Sequence, residues 1–578
     1  MVERNGSINS LNDRKSGPHW LPIGFGVLAV LVLCLSYLAI GFLLYLVGIH
    51  QFPPTLPFPL PFEDAAMLYR YAENLGDGAG IVFNPGQHPS ESDGATDLLF
   101  VLILGPLTAV GIPAYVAGLV VNLTAVFSLG LLVGYLQLRW WNLARVYPTL
   151  VVVSLSGVPT YSFVAGGFSA PVMGALLCWT WFGSLCLFSR ARTIPASWVL
   201  VLGMLTGVAG WWRPEGFALG LPFALAGLAM ASYGRRRPAR DLRGPAVWLA
   251  SGWLIALAGW VLFRLNYFGQ LLPTSAIVKG PKLSFSNLPG VIDHSLLSLK
   301  NSLLFFVLAL LPLLLVLLFL AWFRKCLAPL AYVLLAVLGF SLMWAPLTIT
   351  MNWWGRVFWP AVPVITLSTV TFICLIANTN PQNYAVKPTR SVSNVVAGSL
   401  AVTIVFCWLM QIAEYKTYWR APFHSLAYEA LRSGDTSGLR IATTEAGLIP
   451  LALEDGVALD TYVHNTRSIA LNGLDVLPDE LDRFRPNVLV AHGQRPVEYL
   501  GGEECSGRFG EDWLGMARTM YSYAAEHKFI LIRSEEVADC DTFNIFVSSD
   551  APSGAVGRLQ GIPSFGRTLA PPAVSARS

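Results

Sequence analysis

Charged residues are scarce in this 578-residue chain. Asp, Glu, Lys and Arg make up only 12% of it, whereas apolar residues make up 54%. A water-soluble protein of this length needs far more polar surface, so the composition excludes an ordinary soluble fold and indicates an integral membrane protein. The net charge of +4 is small, and most basic residues stand in short segments between apolar runs. Basic residues placed in this way set the orientation of loops across a membrane and do not form a basic binding surface. The sequence therefore argues against a nucleic-acid partner.

Cysteine is also rare, and no cysteine or histidine pattern has the spacing of a metal site. The chain has eight cysteines and no CxxC pair. Six cysteines lie in or beside apolar runs, whereas Cys505 and Cys540 lie in the polar C-terminal region. If that region is outside the cytoplasm, Cys505 and Cys540 are candidates for a disulfide. The alternative of two free buried thiols remains open.

Long apolar runs are abundant. A helix needs about 20 apolar residues to cross about 30 Å of hydrocarbon, and about eleven runs meet or approach this length. The runs begin near Trp20, Ala114, Tyr147, Phe168, Ala196, Gly216, Ala246, Leu303, Leu327, Val357 and Val392. The first run is too long for a signal-peptide core, so we predict a retained anchor. The sequence predicts a polytopic α-helical membrane protein, with residues 1–19 in the cytoplasm and residues 20–413 as its membrane domain.

One further apolar segment, from Ala95 to Ile112, is predicted not to cross the membrane. The basic loops between the later runs should all be cytoplasmic, as should the N-terminus. A crossing at this segment would put the N-terminus and those loops on opposite sides. We therefore predict a juxtamembrane helix on the outer face, interrupted near Gly105 and Pro106. Residues 51–113 and 266–301 are then long outer loops.

The C-terminal region has a different pattern. Short β-type runs, including Leu439 to Thr443, Asn487 to Ala491 and Phe529 to Ile532, alternate with helical stretches such as Asp512 to His527. The region follows an odd number of crossings, so residues 414–550 are predicted to form a small extracytoplasmic α/β domain. Residues 551–578 are rich in Pro, Ser, Gly and Ala and are predicted to be disordered.

The first outer loop contains the most informative stretch for function. Glu63 and Asp64 stand at the start of a short amphipathic helix, and glycines follow it. Ionised side chains at the rim of a membrane cavity are functional candidates by default. Sugar transfer to a hydroxyl requires a group that accepts the acceptor's proton, which a carboxylate can do. The alternative is that Asp64 only caps the helix.

This stretch resembles the arabinofuranosyltransferase-like branch of the GT-C superfamily of polyprenyl-phosphate-dependent glycosyltransferases. The pattern D-D-A-x-I-x-x-R-Y-A-x-N-L-x-x-G-x-G-L-V-x-N-P-G is matched at Asp64, Arg70, Tyr71, Ala72, Asn74, Leu75, Gly78, Gly80, Val82, Asn84, Pro85 and Gly86. Glu63 replaces the first Asp, and the E-G-Y-T-N-F-L-W-like stretch that follows in the branch is degraded here from Asp93 to Phe100. The resemblance implies a GT-C-like membrane fold, with Asp64 as general base assisted by Glu63.

Three weaker motifs fit the same resemblance. Arg213-Pro-Glu215-Gly matches an R-P-E-G element, Lys279 ends a Y-F-G-Q-L-L-P-T-S-A-I-V-K segment, and Arg356 follows W-W-G. The resemblance implies that the donor phosphate or substrate is bound by Arg70, Arg213, Glu215, Lys279 and Arg356. Candidates for contact with the sugar or acceptor are Tyr69, Asp93, Trp353 and Trp354. The alternatives are an internal Arg213–Glu215 ion pair, a snorkelling Lys279 and tryptophans that only anchor the chain at the interface.

A fourth resemblance lies in the C-terminal region. The run from Ile441 to Pro450 and the segment from Asp460 to Tyr462 are similar to the extracytoplasmic domain of the same branch, where a strand precedes a D-A-G-like turn. Glu445 stands where an Asp is common. The resemblance implies either acceptor recognition or structural support.

The predicted function is transfer of a sugar, with a pentofuranose among the candidates, from a polyprenyl-phosphate donor to an extracytoplasmic glycan, lipid or protein acceptor. The predicted reaction inverts the anomeric carbon and takes place in the inner or plasma membrane, on its outer side. It requires no cofactor, although Mg²⁺ or Mn²⁺ bound by Glu63 and Asp64 remains open. One alternative is a transporter or flippase, which would place charged residues near the middle of the membrane, whereas here they cluster in two long outer loops. Another is a non-catalytic scaffold.

Overall fold

The computed structural model describes residues 20–46, 60–141, 146–190, 194–234, 238–279, 288–311, 313–315, 317–318, 327–345, 355–379, 423–462, 465–494, 511–538, 541–564 and 567–568. The chain divides into two compact units. The first, called the helical unit below, comprises residues 1–52, 118–262 and 280–414. The second, called the α/β unit, comprises residues 53–117, 263–279 and 415–578. The predicted C-terminal domain is therefore not a separate body, because residues of the first outer loop belong to the same unit.

The helices are numbered in chain order. The first ten are α1 (Leu21–Leu46), α2 (Glu63–Gly76), α3 (Leu98–Ala109), α4 (Ala114–Leu136), α5 (Val146–Ser156), α6 (Val158–Ala165), α7 (Ala170–Arg190), α8 (Ala196–Trp212), α9 (Glu215–Gly234) and α10 (Arg243–Tyr267). They are followed by α11 (Thr274–Lys279), α12 (Leu288–Ala309), α13 (Ala328–Trp344), α14 (Ala361–Thr379), α15 (Phe423–Arg432), α16 (Leu448–Leu451), α17 (Arg467–Asn472), α18 (Leu477–Phe484), α19 (Glu511–Glu526) and α20 (Ser553–Gln560).

Five helices among the described residues are long and apolar enough to cross a membrane. They are Ala114–Trp141, Tyr147–Ala165, Ala170–Ser189, Glu215–Gly234 and Arg240–Tyr267. Shorter apolar helices add to them, including α8, α13 and most of α1 and α14. The helical membrane architecture is thus present, whereas the number of crossings stays a prediction, since the run that begins near Val392 lies outside the described residues.

Close packing in the helical unit depends on small residues. A Cβ at Gly252 of α10 would lie 2.0 Å from the carbonyl oxygen of Leu200 in α8, and one at Gly203 would lie 2.1 Å from that of Leu249. A Cβ at Gly227 of α9 would lie 2.5 Å from the carbonyl oxygen of Trp181 in α7. Glycine therefore allows these helix backbones to approach closely, as is usual where the hydrophobic effect does not drive helix association.

Helix α12 begins earlier than the apolar run that predicted it. The run begins near Leu303, whereas the helix begins at Leu288, so the outer loop predicted at residues 266–301 includes helical residues. The polar residues Asp293 and Lys300 lowered the apparent hydropathy of this segment, yet both side chains are exposed on the helix surface. Pro289 suits the first helical turn, where its missing N–H leaves no intrahelical bond unmade.

The α/β unit contains a six-stranded sheet. The strands are β1 (Arg440–Thr443), β2 (Val457–Asp460), β3 (Val488–Gln494), β4 (Ile530–Ala538), β5 (Asp541–Val547) and β6 (Arg567–Thr568). Their order in the sheet is β2-β1-β3-β5-β4-β6, and β1 pairs in parallel with both β2 and β3. The strands β1, β3 and β4 and the helix α19 correspond to the predicted β-type and helical runs.

Part of the predicted disordered tail is folded. Helix α20 and strand β6 both lie between residues 551 and 578. Ala555 and Leu559, four residues apart on one face of α20, are each 1% exposed, and Arg558 Nε donates to the carbonyl oxygen of Ala430 at 2.9 Å. The Pro- and Gly-rich composition predicted disorder for this segment, but one short buried helical face is enough to order it.

The apolar segment after the first outer motif forms α3, which is continuous. We predicted a break near Gly105 and Pro106, but the helix passes Pro106 and ends at Ala109. The hydroxyl of Thr108 donates to the carbonyl oxygens of Gly105 at 2.7 Å and Ala72 at 3.0 Å, which fastens this end to α2. With 12 residues, α3 extends about 18 Å. That length is shorter than about 30 Å of hydrocarbon, and the place of α3 on the outer face stays a prediction.

Candidate active site

The two acids of the first outer loop occupy the first turn of α2. The N-cap residue is Phe62, which has no capping side chain, so Glu63 and Asp64 are the first two helical residues. Asp64 is therefore not the N-cap residue that the alternative interpretation required. Its side chain is partly exposed, whereas that of Glu63 is buried. Consecutive residues point about 100° apart around a helix, so the two carboxylates have different surroundings.

Glu63 is fixed by backbone N–H groups from the C-terminal segment. Its Oε1 accepts from Gly447 N at 2.6 Å, and its Oε2 accepts from Leu448 N at 2.9 Å. A Cβ at Gly447 would lie 1.8 Å from the carbonyl oxygen of Glu63, so only glycine allows this approach. Burial raises the pKa of Glu63 to about 7, although His424 and the two N–H groups act in the opposite direction.

A cluster of two imidazoles and one carboxylate, His424, Glu445 and His492, lies next to Glu63 in the same unit. We call these three residues the His–Glu–His cluster. Oε2 of Glu445 lies 3.0 Å from His424 Nε2, and Oε1 of Glu445 contacts His492 Nδ1. The side chains are only 12%, 8% and 16% exposed, in chain order. The structure thus brings one predicted acid together with titratable groups from three distant segments.

The facing imidazoles govern the protonation of Glu445. Burial alone would raise the pKa of this carboxyl, yet His424 and His492 hold the pKa well below its usual range. For His424, burial acts to lower the pKa, but the effect of the Glu445 carboxylate is larger and raises it. The cluster is therefore strongly polarised around an ionised Glu445.

The sheet register explains how Glu445 meets His492. In the parallel pair β1 and β3, Thr443 is opposite Val490, and two further residues along each chain are Glu445 and His492. The turn is tied to β3 because Thr444 N donates to the carbonyl oxygen of Val490 at 3.1 Å. Glu445 follows the carboxyl end of β1, and His492 lies near the carboxyl end of β3. The carboxyl ends of neighbouring parallel strands meet at one edge of a sheet, which is where α/β folds build their sites.

Sequence reasoning missed His424 and His492. It singled out Glu445, but the partners stand in other segments, with His492 47 positions further along. No local spacing rule detects such a set. The usable signal was a β-type run that ends in histidine, and its pairing register with β1 is not readable from one sequence.

Arg70 has a different role from the predicted one. It is 2% exposed, and its Nε donates to the carbonyl oxygen of Phe83 at 3.1 Å. Its two terminal nitrogens donate to the carbonyl oxygens of Leu453 and of Gly456, the latter at 3.1 Å. The guanidinium thus donates hydrogen bonds to three backbone carbonyl oxygens. These bonds join α2 to the C-terminal segment in place of the predicted contact with phosphate.

Other matched motif residues make similar joints. Asn84 pairs with β2, since its Nδ2 donates to Ala458 O at 2.7 Å and its Oδ1 accepts from Ala458 N at 2.8 Å. The hydroxyl of Tyr71 donates to Asn465 Oδ1 at 2.9 Å and accepts from Gly94 N at 2.9 Å. Much of the motif therefore fastens the first loop to distant parts of its own unit.

Asp93 and Tyr69 are both fully buried, in contrast to their predicted contact with sugar or acceptor. Asp93 forms an ion pair with Arg264 and accepts from Gln270 Nε2 at 2.8 Å. Tyr69 packs edge-on against Phe100, with the ring centroids 6.1 Å apart. These contacts give both residues structural roles within the α/β unit.

Two predicted basic residues belong to the helical unit. Arg213 Nε lies 2.5 Å from Glu215 Oε1, with side chains 17% and 13% exposed, so the internal ion pair is formed. The guanidinium of Arg356 lies over the ring of Phe168, 4.2 Å from its centroid. The remaining predicted residues lie outside the described part of the structure, or their side chains do: Trp353, Trp354, Cys505, Cys540 and the side chain of Lys279.

Glu73, on the same helix as the acid pair, provides a stability prediction. Burial raises its pKa to about 7, against the opposing effect of Arg432 and Arg70. The folded-state pKa of Glu73 lies above its unfolded value. Its contribution to the free energy of unfolding is therefore fully present below about pH 4.5 and is lost as the pH rises through about 7. We expect Glu73→Gln to raise the free energy of unfolding at pH 8 by about 1–2 kcal/mol and to flatten its pH dependence. Thermal unfolding from pH 5 to 8 measures this, and an unchanged pH profile would contradict it.

Among curated proteins, the chain is similar to an arabinofuranosyltransferase, the activity of the branch that its motifs resemble. The particular relative is a terminal beta-(1->2)-arabinofuranosyltransferase of Mycobacterium tuberculosis (strain ATCC 25618 / H37Rv). The two proteins are 30% identical over 231 residues, which are 38% of this chain and 34% of the relative. The match thus spans about a third of the relative's length. It confirms the resemblance, while no family model matches the chain.

Among solved structures, two crystal structures of ArnT from Cupriavidus metallidurans are similar. The form bound to undecaprenyl phosphate aligns over 85% of this chain and 94% of that one, with a TM-score of 0.46 and 11% identity. The apo form aligns over 85% and 93%, with a TM-score of 0.44 and 12% identity. These TM-scores are too low to establish a common fold.

Proposed function

We propose that this protein is a multi-pass membrane glycosyltransferase of the GT-C type. It transfers a sugar, preferably a pentofuranose, from a polyprenyl-phosphate donor to a glycan, lipid or protein acceptor on the extracytoplasmic side. The observation that carries the proposal is the acid pair at the start of α2, within a motif that resembles the arabinofuranosyltransferase-like branch. The 30% identity with an arabinofuranosyltransferase supports the choice of a pentofuranose.

Asp64 is the general base of the proposed reaction. A base must come within hydrogen-bond reach of the acceptor hydroxyl, and of the two acids only Asp64 has a partly exposed side chain. Glu63 is 7% exposed and held by Gly447 N and Leu448 N, so its role is to fix the start of α2 and the orientation of Asp64. Direct attack by the activated hydroxyl inverts the anomeric carbon.

The leaving group needs charge stabilisation more than protonation. Polyprenyl phosphate departs as an anion while the sugar acquires oxocarbenium character, so nearby cations lower the barrier. We assign this role to Lys279 and Arg356. Arg213, which pairs with Glu215 in the helical unit, is assigned to substrate binding as a positioning residue. A divalent ion is not required by this scheme.

Product formation tests the proposal directly. Purified full-length protein in lipid nanodiscs is incubated with synthetic polyprenyl-phosphate pentofuranoses and hexoses and with a panel of oligosaccharide acceptors. We expect a new glycosidic product, formed from the pentofuranose donor at least about tenfold faster than from the hexose donor. NMR of the product should report inversion at the anomeric carbon.

Three outcomes would contradict the proposal. Movement of the donor across vesicle membranes without a product would indicate a transporter or flippase. Donor binding with neither product nor movement would indicate a scaffold. Retention of the anomeric configuration would contradict the inverting mechanism.

A further inference from the structure

The His–Glu–His cluster combines the three side chains most often found together at transition-metal sites. Its ligand atoms, two imidazole nitrogens and a carboxylate oxygen, all lie within 4.8 Å of one another. Two histidines and one carboxylate bind Zn²⁺ and other first-row divalent ions and leave at least one coordination position open. Zn²⁺ bonds of about 2.0–2.2 Å require donor atoms about 3–4 Å apart, so small side-chain rotations complete the site.

Both imidazoles turn a ring nitrogen toward Glu445. His424 Nε2 lies 3.0 Å from Glu445 Oε2, and His492 Nδ1 contacts Glu445 Oε1. Without a metal ion these contacts are hydrogen bonds from the imidazoles to the carboxylate. A ring nitrogen that has lost its proton carries a lone pair in the same direction, so the same orientation presents two nitrogen ligands and a carboxylate oxygen to one ion.

The charge balance also favours a cation. Glu63 and Glu445 are each 7% exposed, and Glu63 lies close enough to interact electrostatically with both His424 and Glu445. A metal ion requires both imidazoles to be neutral, which removes the positive charge that otherwise offsets Glu445. The buried carboxylates then need another compensating charge, and a divalent ion supplies it.

The ligands are rigidly supported by secondary structure. His492 belongs to β3, and its ring stacks on Phe543 with centroids 3.9 Å apart. Its backbone N–H donates to Thr444 Oγ1 at 2.9 Å. His424 lies in the first turn of α15 and packs edge-on against the same Phe543 ring at 5.1 Å. Trp513 Nε1 donates to the carbonyl oxygen of His492 at 2.7 Å. Outer contacts of this kind orient ligands and raise metal affinity.

We propose that His424, Glu445 and His492 bind one Zn²⁺ ion, which joins α15 to the edge of the sheet beside Glu63. The ion fixes the turn that carries Gly447 and Leu448, and thereby the two N–H groups that hold Glu63. This site differs from the Mg²⁺ or Mn²⁺ site predicted at Glu63 and Asp64, because its ligands are mainly nitrogen. It does not depend on the transfer reaction.

Metal content tests the proposal without an activity assay. Full-length protein is purified with a tag that contains no histidine, dialysed against micromolar Zn²⁺, washed and analysed by elemental mass spectrometry. We expect about one Zn²⁺ per chain. His424→Ala and His492→Ala should each lower the bound Zn²⁺ at least about tenfold. His527→Ala, which removes a half-exposed histidine elsewhere in the same unit, should leave it unchanged.

A second measurement covers variants that fold poorly. A chelator should lower the melting temperature of the wild-type protein, and added Zn²⁺ should restore it. Neither treatment should affect Glu445→Gln to the same extent. The proposal would be overturned if the wild-type protein retained no Zn²⁺ after dialysis and its melting temperature did not change with the chelator. The cluster would then be a set of histidine–carboxylate hydrogen bonds without a metal ion. Equal Zn²⁺ content in the wild type and in His424→Ala would overturn it as well.

Discussion

Replacing Asp64 with asparagine is expected to lower kcat at least about 100-fold, since general-base catalysis contributes about 10²–10⁴ to such reactions. Asparagine keeps the size of the side chain and its place in the first turn of α2, but it cannot accept a proton from the acceptor hydroxyl. Because donor binding does not require the base, KM for the donor should change by no more than about threefold. Initial rates over a range of donor concentrations measure both constants.

Asp77→Asn is the matched control for this experiment. Asp77 is the C-cap residue of the same helix and is exposed, and the substitution removes the same charge. We expect its kcat to remain near the wild-type value. Normal turnover by Asp64→Asn at wild-type expression would refute the general-base assignment, and an equal loss in both variants would reduce the effect to one of net charge.

Arg70→Met should destabilise the protein by roughly 3–5 kcal/mol, because it leaves the carbonyl oxygens of Leu453 and Gly456 buried without their donor and leaves that of Phe83 with Asn74 Nδ2 alone. Methionine preserves much of the packing volume of arginine, so the loss reports the missing hydrogen bonds. Thermal unfolding and protease resistance of the full-length protein measure the change. A large loss of stability is what a structural arginine predicts.

The control is Arg432→Met, in the same unit. Arg432 forms an ion pair with Glu454 at 3.2 Å, with side chains 37% and 64% exposed, and such exposed pairs contribute less than about 1 kcal/mol. Arg70→Met with normal stability but a raised KM for the donor would contradict the structural role. That result would restore the phosphate contact implied by the motif.

The sequence predicted local features of the candidate site better than distant ones. Helix α2 was predicted because two acids and a regular apolar spacing precede a glycine-rich end, and Gly78 and Gly80 indeed have φ of 82° and 94°. The different surroundings of Glu63 and Asp64 were not predictable, because they depend on N–H groups nearly four hundred residues away. Local patterns specify an element, whereas tertiary contacts decide which of its side chains is buried.

The same distinction explains the other errors. Helix α12 was predicted to start too late because polar residues on its exposed face interrupt the hydropathy, though they do not interrupt the helical period. Helix α20 was missed because only two buried positions, Ala555 and Leu559, order it. Arg70 was assigned to phosphate from the resemblance of its motif, and its three backbone acceptors are not readable from the sequence because two of them stand in the C-terminal segment.

The α/β unit is assembled from three stretches that are far apart along the chain, residues 53–117, 263–279 and 415–578. During synthesis on the ribosome, the acid pair emerges early, but the glycine turn that secures Glu63 is translated near the end. Most of the polypeptide must therefore be made and inserted before the reactive helix acquires its final environment. A nascent chain stopped anywhere before residue 445 would hold both acids and yet lack the framework that distinguishes one from the other.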